Sequence, residues 1–335
     1  MRFGIKSDAY LFTNYVQALP VVSPRFNHLR TTMNRELLKA HMAVLTAVIV
    51  WSTSFIALKV AIGEVEPMVV VFLRMAVGSV AFLAFWPLIR KGINYQAGDW
   101  KLLAGMALFE PCLYFIFEAQ AIRYTSAGQA GMVTAMLPLM VAVAAYFFLK
   151  ERNTPRQWTG LFMAVIGLVW MTLSGTDSEQ AHNPVLGNLL EFGAMVMAVG
   201  YTMLIKKLTQ RYSAFFLTAI QSYIGTVFFF PLAMASGWPT DISVNAIACI
   251  IYLGLVVSLG GYGLYNYSLS YIKASTSAGY INLLPAFTLL FSMVLLDERL
   301  VTTQWLAIGI IFFGVLLSQE RSTKAPKEAI SGAAG

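Results

Sequence analysis

The chain has 335 residues, 58% of them hydrophobic and 12% charged, with a formal charge of +7 and a mean hydropathy of +0.68. A soluble domain carries about 25% charged residues, so this composition excludes an ordinary water-soluble protein and points to lipid as the solvent. The basic excess is not a nucleic-acid footprint, because Lys and Arg lie between apolar runs and gather on no single face or tail.

In chain order, residues 1–40 are an N-terminal extension, expected to be flexible and without a signal-peptide core. "MNRELLKAHMAVL" from Met33 reads as a natural start, which would leave the first 32 residues as an upstream extension. Apolar segments then follow at about 41–62, 68–89, 101–122, 128–149, 157–173, 186–206, 214–235, 244–268, 275–296 and 303–318. A bilayer core asks for roughly 20 apolar residues per helix, so the expected fold class is an all-α integral membrane protein with ten transmembrane helices. Residues 319–335 are expected to be a flexible cytoplasmic tail. Cys112 and Cys249 sit inside apolar runs with neither metal-ligand nor disulfide spacing.

Loop charge sets the orientation. With the N-terminus inside, the inner segments carry 19 of the 23 basic residues and the outer loops only Arg123 and Arg299. The expectation is a multi-pass protein of the plasma membrane, the inner membrane if the cell is bacterial, with both termini cytoplasmic and lipid as its surroundings.

The chain also repeats itself. "FFLKERNTPRQW" at Phe147–Trp158 and "VLLDERLVTTQW" at Val294–Trp305 place Glu151 and Glu298 147 positions apart. The same offset pairs Lys59 with Lys206, Gly78 with Gly225, Tyr124 with Tyr271, Pro138 with Pro285 and Gly167 with Gly314. The repeats are expected at 41–173 and 186–318. Five helices per repeat is an odd number, so the second copy would enter the membrane upside down: two inverted five-helix repeats, an arrangement common in secondary transporters.

"WSTSFIALK", "FLRMAVGSVAF", "AIRYTSAGQAGMVTAMLPLMVAVAAYFFLKER" and "ASTSAGYINLLPAFTLLFSMVLLDER" together resemble the EamA-type transporters of the drug/metabolite transporter superfamily, over about 40–318. The resemblance implies a central cavity lined by helices 1–4 and 6–9, peripheral helices 5 and 10, and metabolite movement, commonly efflux. The N-terminal 32 residues lie outside the family pattern, and the third segment is unusually acidic.

Broken helices at matched positions point to a transport site. The expected kinks are Pro111, whose repeat mate Ser258 is followed by Gly260, Gly261 and Gly263, and the matched Pro138 and Pro285. Charges inside spans are costly and functional by default. Arg74 and Glu118 should lie at similar depth and pair. Glu110 has no evident partner at its depth; an unpaired buried carboxyl favours its neutral form, which suits a proton-coupling group or an anionic contact for a cationic substrate. Lys59 is expected to snorkel. Glu191 is expected at the interface, with the cavity as the alternative. The uncharged cavity candidates are Trp51, Ser54, Tyr114, Gln129, Thr134, Tyr201, Gln221, Tyr262, Tyr265, Asn266, Tyr280 and Asn282, since aromatic and amide groups suit a small amphipathic metabolite.

The expected function is a secondary transporter exporting small metabolites such as amino acids by alternating access, with the proton as candidate coupling ion. A channel or a scaffold is the alternative. His28, His41 and His182 are far apart, and no H-E-x-x-H or Ser-His-Asp grouping is present, so no enzyme, metal or cofactor is expected. No G-x-x-x-x-G-K-[ST] run suggests ATP drive. The partners are a small-molecule substrate and lipid, not nucleic acid, with the protein a monomer or homodimer.

Overall fold

The computed structural model describes residues 24–89, 93, 95–149, 154–174, 181–272, 277 and 280–318. The N-terminal 23 residues, the Glu151–Arg152 pair of the first repeat ending and the tail from residue 319 lie outside the described residues. The chain divides into a short unit, 1–39, and a large one, 40–335. In the short unit the described residues are helical, and Lys39 Nζ bonds Glu36 Oε1 at 2.6 Å.

Among the described residues the fold is helical, without strands. The main helices are α1 (Pro24–Ile62), α2 (Pro67–Ala84), α3 (Asp99–Tyr124), α4 (Ala127–Val133 continuing through a 3-10 turn, Thr134–Met136, into Leu137–Leu149), α5 (Pro155–Leu173), α6 (Pro184–Leu208), α7 (Ala214–Ala235), α8 (Val244–Tyr271), α9 (Leu284–Leu295) and α10 (Thr302–Ser318), and a short helical turn, Trp86–Ile89, follows α2. Within these, Arg35–Ile62, α2, α3, α6, α7 and α8 are long and apolar enough to cross a membrane. Shorter apolar helices occupy Ala127–Val141, Trp158–Leu173, Leu284–Leu295 and Thr302–Gly314.

The helix starts follow from local chemistry. Ser126, Asn183, Ser213 and Ser243 each accept a hydrogen bond from the backbone amide three residues on, at 3.1–3.2 Å, which satisfies an otherwise orphaned donor. Pro67 and Pro184 occupy first-turn positions, where a missing N–H costs nothing. Pro138 and Pro285 each sit second in a helical segment, Leu137–Leu149 and Leu284–Leu295, just past the 3-10 turn Thr134–Met136 and the turn at 282–283, so the break in each helix precedes its proline.

Two wider interruptions also correspond across the repeats. In α3 the turn widens to π geometry over Leu108–Leu113, and Glu110 leaves helical geometry altogether (φ −148°, ψ 117°). In α8 the wide turn runs over Leu253–Gly261 and contains Gly260 and Gly261; Gly263 lies just beyond it in regular helix. Such turns free backbone groups that only a neighbour or a cavity can satisfy in lipid.

The contacts repeat as the sequence does. Lys59 Nζ donates to the carbonyls of Ile122 and Thr125, both at 2.7 Å, and Lys206 Nζ to those of Leu269 and Ile272 at 2.7 and 3.0 Å. Lys59 therefore caps the end of α3, a role the expectation of snorkelling did not include. α5 and α10 pack closely on each other through matched glycines. A Cβ on Gly167 would meet Ile311 N at 2.9 Å and Ala307 O at 3.0 Å; one on Gly314 would meet Ala164 N at 2.6 Å and Gly160 O at 2.7 Å. Ser79 Oγ and Thr226 Oγ1, themselves 147 residues apart, lie 2.8 Å from each other. The repeat ending has a job as well: the buried Glu298 carboxylate accepts from the amides of Ala127 and Gly128 at 2.8 and 2.9 Å, which caps the start of α4.

Candidate functional site

A cavity of about 60 Å³ lies beside the wide turn of α3. From α1 come Trp51, Ser54 and Phe55, and from α2 Arg74. The broken α3 supplies Glu110, Tyr114 and Glu118, and α4 supplies Thr134 and Leu137. The opposite wall is Met195, Ala198, Tyr201 and Thr202 of α6, Tyr262 and Tyr265 of α8, then Ile281 and Leu284. Gln221, Thr218 and Ser222 of α7 line a smaller recess next to it, with Ser258 and Tyr262. Neither α5 nor α10 contributes to these linings. Pockets for drug-sized ligands run to roughly 300–1,000 Å³, so a metabolite needs the wall side chains to part.

Charge is concentrated on one wall. Arg74 is 2% exposed and Glu118 5%, so each ion needs partners to offset its desolvation. Arg74 Nη1 lies 3.6 Å from Glu118 Oε2, and its Nε donates to Ser258 Oγ at 2.8 Å. The guanidinium also sits 4.2 Å from the centre of the Phe115 ring, a cation–π contact. Tyr114 Oη donates to Glu118 Oε1 at 2.9 Å. Glu110 is also buried, faces the Tyr262 hydroxyl, and lies within charge range of Arg74 and Glu118. The sequence alone left it without a partner, because Tyr262 comes from the other repeat.

The aromatic floor is built by Trp51, whose ring centre is 5.0 Å from those of both Tyr262 and Tyr265. Its indole Nε1 is buried with no partner, a donor available to a bound molecule. Tyr201 Oη donates to Asn266 Oδ1 at 2.8 Å, and Asn266 Nδ2 donates to Thr218 Oγ1 at 2.9 Å. Gln221 Nε2 reaches across to the Glu110 carbonyl at 3.3 Å and occupies an acceptor beside the wide turn of α3.

The structure thus brings ten of the expected residues to the main cavity: Trp51, Ser54, Arg74, Glu110, Tyr114, Glu118, Thr134, Tyr201, Tyr262 and Tyr265. Gln221 lines the adjoining recess. Four do not line either space. Gln129 is taken up by Asn188 (3.1 Å) at the junction of α4 and α6. Asn266 is fully buried behind the wall by the bonds just described. Tyr280 turns to His41, at 3.1 Å. Asn282 sits in the turn before α9 with its Oδ1 buried and unpartnered. Glu191 is not at an interface: it is 0% exposed. Thr202 was missed, although it adjoins Tyr201; small residues on an apolar helix carry no sign of which way they face.

The EamA-like transporter family matches residues 38–173 and again residues 185–319. The chain belongs to that family. An "Uncharacterized transporter" of Archaeoglobus fulgidus is 27% identical over 78% of this chain and 90% of that protein. A "Probable terminal-alkyne amino-acid exporter" of Streptantibioticus cattleyicolor is 26% identical over 88% of this chain and 98% of its own length. The "Uncharacterized inner membrane transporter YhbE" of Escherichia coli is 27% identical over 76% and 80%. A solved crystal structure aligns with a TM-score of 0.59, 17% identity and coverage of 83% of this chain and 96% of that one; this likeness shows the fold alone. Family and apolar helices together make the chain a multi-pass membrane protein of a transporter family.

Proposed function

We propose that this EamA-like protein is a secondary transporter that exports a small amino-acid-class metabolite by alternating access, coupled to the proton gradient. The observation that carries the reading is the cavity itself: a polar centre walled by both matched repeats, with Arg74 and Glu118 paired on one side and Glu110 facing Tyr262. A guanidinium suits a substrate carboxylate, and a carboxylate suits an ammonium. The amino-acid class also draws support from the exporter relative named above.

The proposed architecture is ten spans in two inverted repeats, with both termini cytoplasmic. Its support is the recurrence of contacts at one spacing, above all the Ser79–Thr226 bond between matched residues. Rocking about the axis between inverted repeats exposes one central site to each side in turn.

The test uses proteoliposomes with an imposed pH gradient and a panel of labelled amino acids. Saturable, counterflow-competent flux is expected for the wild type. Glu110→Gln should fold, keep exchange and lose gradient-driven accumulation. An unchanged pH response in this variant would reject the proton role of Glu110. Orientation is tested by labelling cells with an impermeant maleimide after Cys112→Ser and Cys249→Ser. Lys207→Cys should react only from the cytoplasm and Arg299→Cys only from outside; the reverse pattern refutes the proposed orientation of the second repeat, and reaction of both from one side refutes the three spans between them.

A further inference from the structure

Glu191 is the acidic group that the cavity does not explain. It lies in α6, is 0% exposed, and both carboxylate oxygens are buried with no hydrogen-bond partner. An ion in such a position is far costlier than a neutral acid. Nature keeps few such groups without a use.

Its surroundings follow from the glycines beside it. A Cβ on Gly187 would meet Thr125 at 2.5 Å and Ala121 O at 3.0 Å; on Gly193 it would meet the Phe117 ring at 3.2 Å; on Gly200 it would meet the Phe109 ring at 2.7 Å. α6 therefore runs antiparallel to α3 at close range, and position 191 falls level with Glu118. Consistently, Glu191 lies within charge range of Glu118 and Tyr114. Arg74, Glu110 and Tyr262 lie within charge range of Glu118. One turn from Glu191 on α6, Asn188 bonds the neutral Gln129 of α4 and Thr172 of α5.

The charge count decides the chemistry. Among the described residues, Glu110, Glu118 and Glu191 share this interior with one buried cation, Arg74, and Arg74 is paired with Glu118. We propose that Glu191 is a proton-binding site set behind the cavity wall, a second acid that carries a proton while Glu118 holds Arg74. With the proton on Glu191, Glu118 is the one carboxylate that Arg74 offsets. When the O–H bond at Glu191 breaks, its proton goes to water, and two carboxylates are left to one guanidinium. This deepens the proton-coupled reading above and rests on it.

Infrared difference spectra of the purified protein, taken between neutral and alkaline pH in H₂O and D₂O, test it without any substrate. The wild type and Glu110→Gln should both show the C=O stretch of a buried neutral carboxyl that Glu191→Gln lacks. Glu191→Gln and Glu191→Met should both fold with near-wild-type melting temperature at neutral pH, because a neutral acid without partners is replaceable. The proposal is overturned by a carboxyl spectrum unchanged in Glu191→Gln, by failure of both variants to fold, or by sodium raising the wild-type melting temperature over choline when Glu191→Gln does not respond, which makes the site a cation site. The spectrum reads Glu191 with no transport step, so it can fail while gradient-driven transport persists, and the reverse.

Discussion

α3 and α8 occupy the same place in the two repeats, and they share a backbone without sharing a chemistry. Both widen to π turns midway, and both end at matched tyrosines, Tyr124 and Tyr271. Yet α3 carries Glu110 and Glu118, and α8 carries Val257 and Tyr265 at the corresponding positions. Arg74 on α2 corresponds to Gln221 on α7. Each of these two still reaches into the broken helix of the other repeat: Arg74 to Ser258, and Gln221 to the Glu110 carbonyl. The lesson is that the scaffold is doubled and the charge is not. Arg74, Glu110 and Glu118 stand on the α2–α3 side of the cavity, and the α7–α8 positions that match them are neutral.

The largest effect should come from making the two repeats alike at their most different point. Arg74→Gln copies Gln221 onto α2 and leaves Glu118 buried without its counter-ion. Breaking a buried pair costs ~3–5 kcal/mol, which should appear as a large loss of stability in detergent. Adding Glu118→Gln removes the stranded charge and should recover most of that loss. A double variant as unstable as the sum of the two single ones would show that the pair is not the coupling it is taken for.

Next come the two lysines that close the corners after α3 and α8. Lys59→Met and Lys206→Met each remove hydrogen bonds from a charged donor to two helix-end carbonyls. Bonds of that kind are worth about 1.5–3 kcal/mol each at most. Both variants should lose stability, and Lys59→Met more, since Glu298 lies within its charge range at the start of α4. If Lys206→Met proves the more damaging, the capping roles are not equivalent across the repeats.

Much of this was written in the sequence, for physical reasons that also mark where it stops. An ion in an apolar run must find a partner, so Arg74 and Glu118 could be paired from depth alone. Pro111 and the glycines after Ser258 advertise a helix break because of what they do to backbone bonding. The direction a helix faces is much less legible. Tyr265 and Asn266 are neighbours at about 100° of rotation, and only Tyr265 lines the cavity. Lys59 near a helix end suggests snorkelling until the carbonyls of Ile122 and Thr125 are in place. Glu191 follows the polar Asn183 and Asn188, which resembles a water interface; only Gly187 and Gly193, by letting α3 close in, bury it.

The smallest effect tests the symmetry where it is tightest. Residues at matched positions can touch each other only near the axis that relates the two repeats, and Ser79 and Thr226 do so at 2.8 Å. Thr226 Oγ1 also donates to the Ser222 carbonyl at 2.9 Å, so its proton is committed and Ser79 is the donor in the shared bond. Ser79→Ala should then cost about 1 kcal/mol, the net worth of one hydrogen bond, read from denaturant or thermal unfolding. The exchanged pair, Ser79→Thr with Thr226→Ser, places the same two groups across the same axis and should cost less than that. An exchange that destabilises more than Ser79→Ala would mean that the two sides of this contact are packed differently, and that the axis does not pass between them.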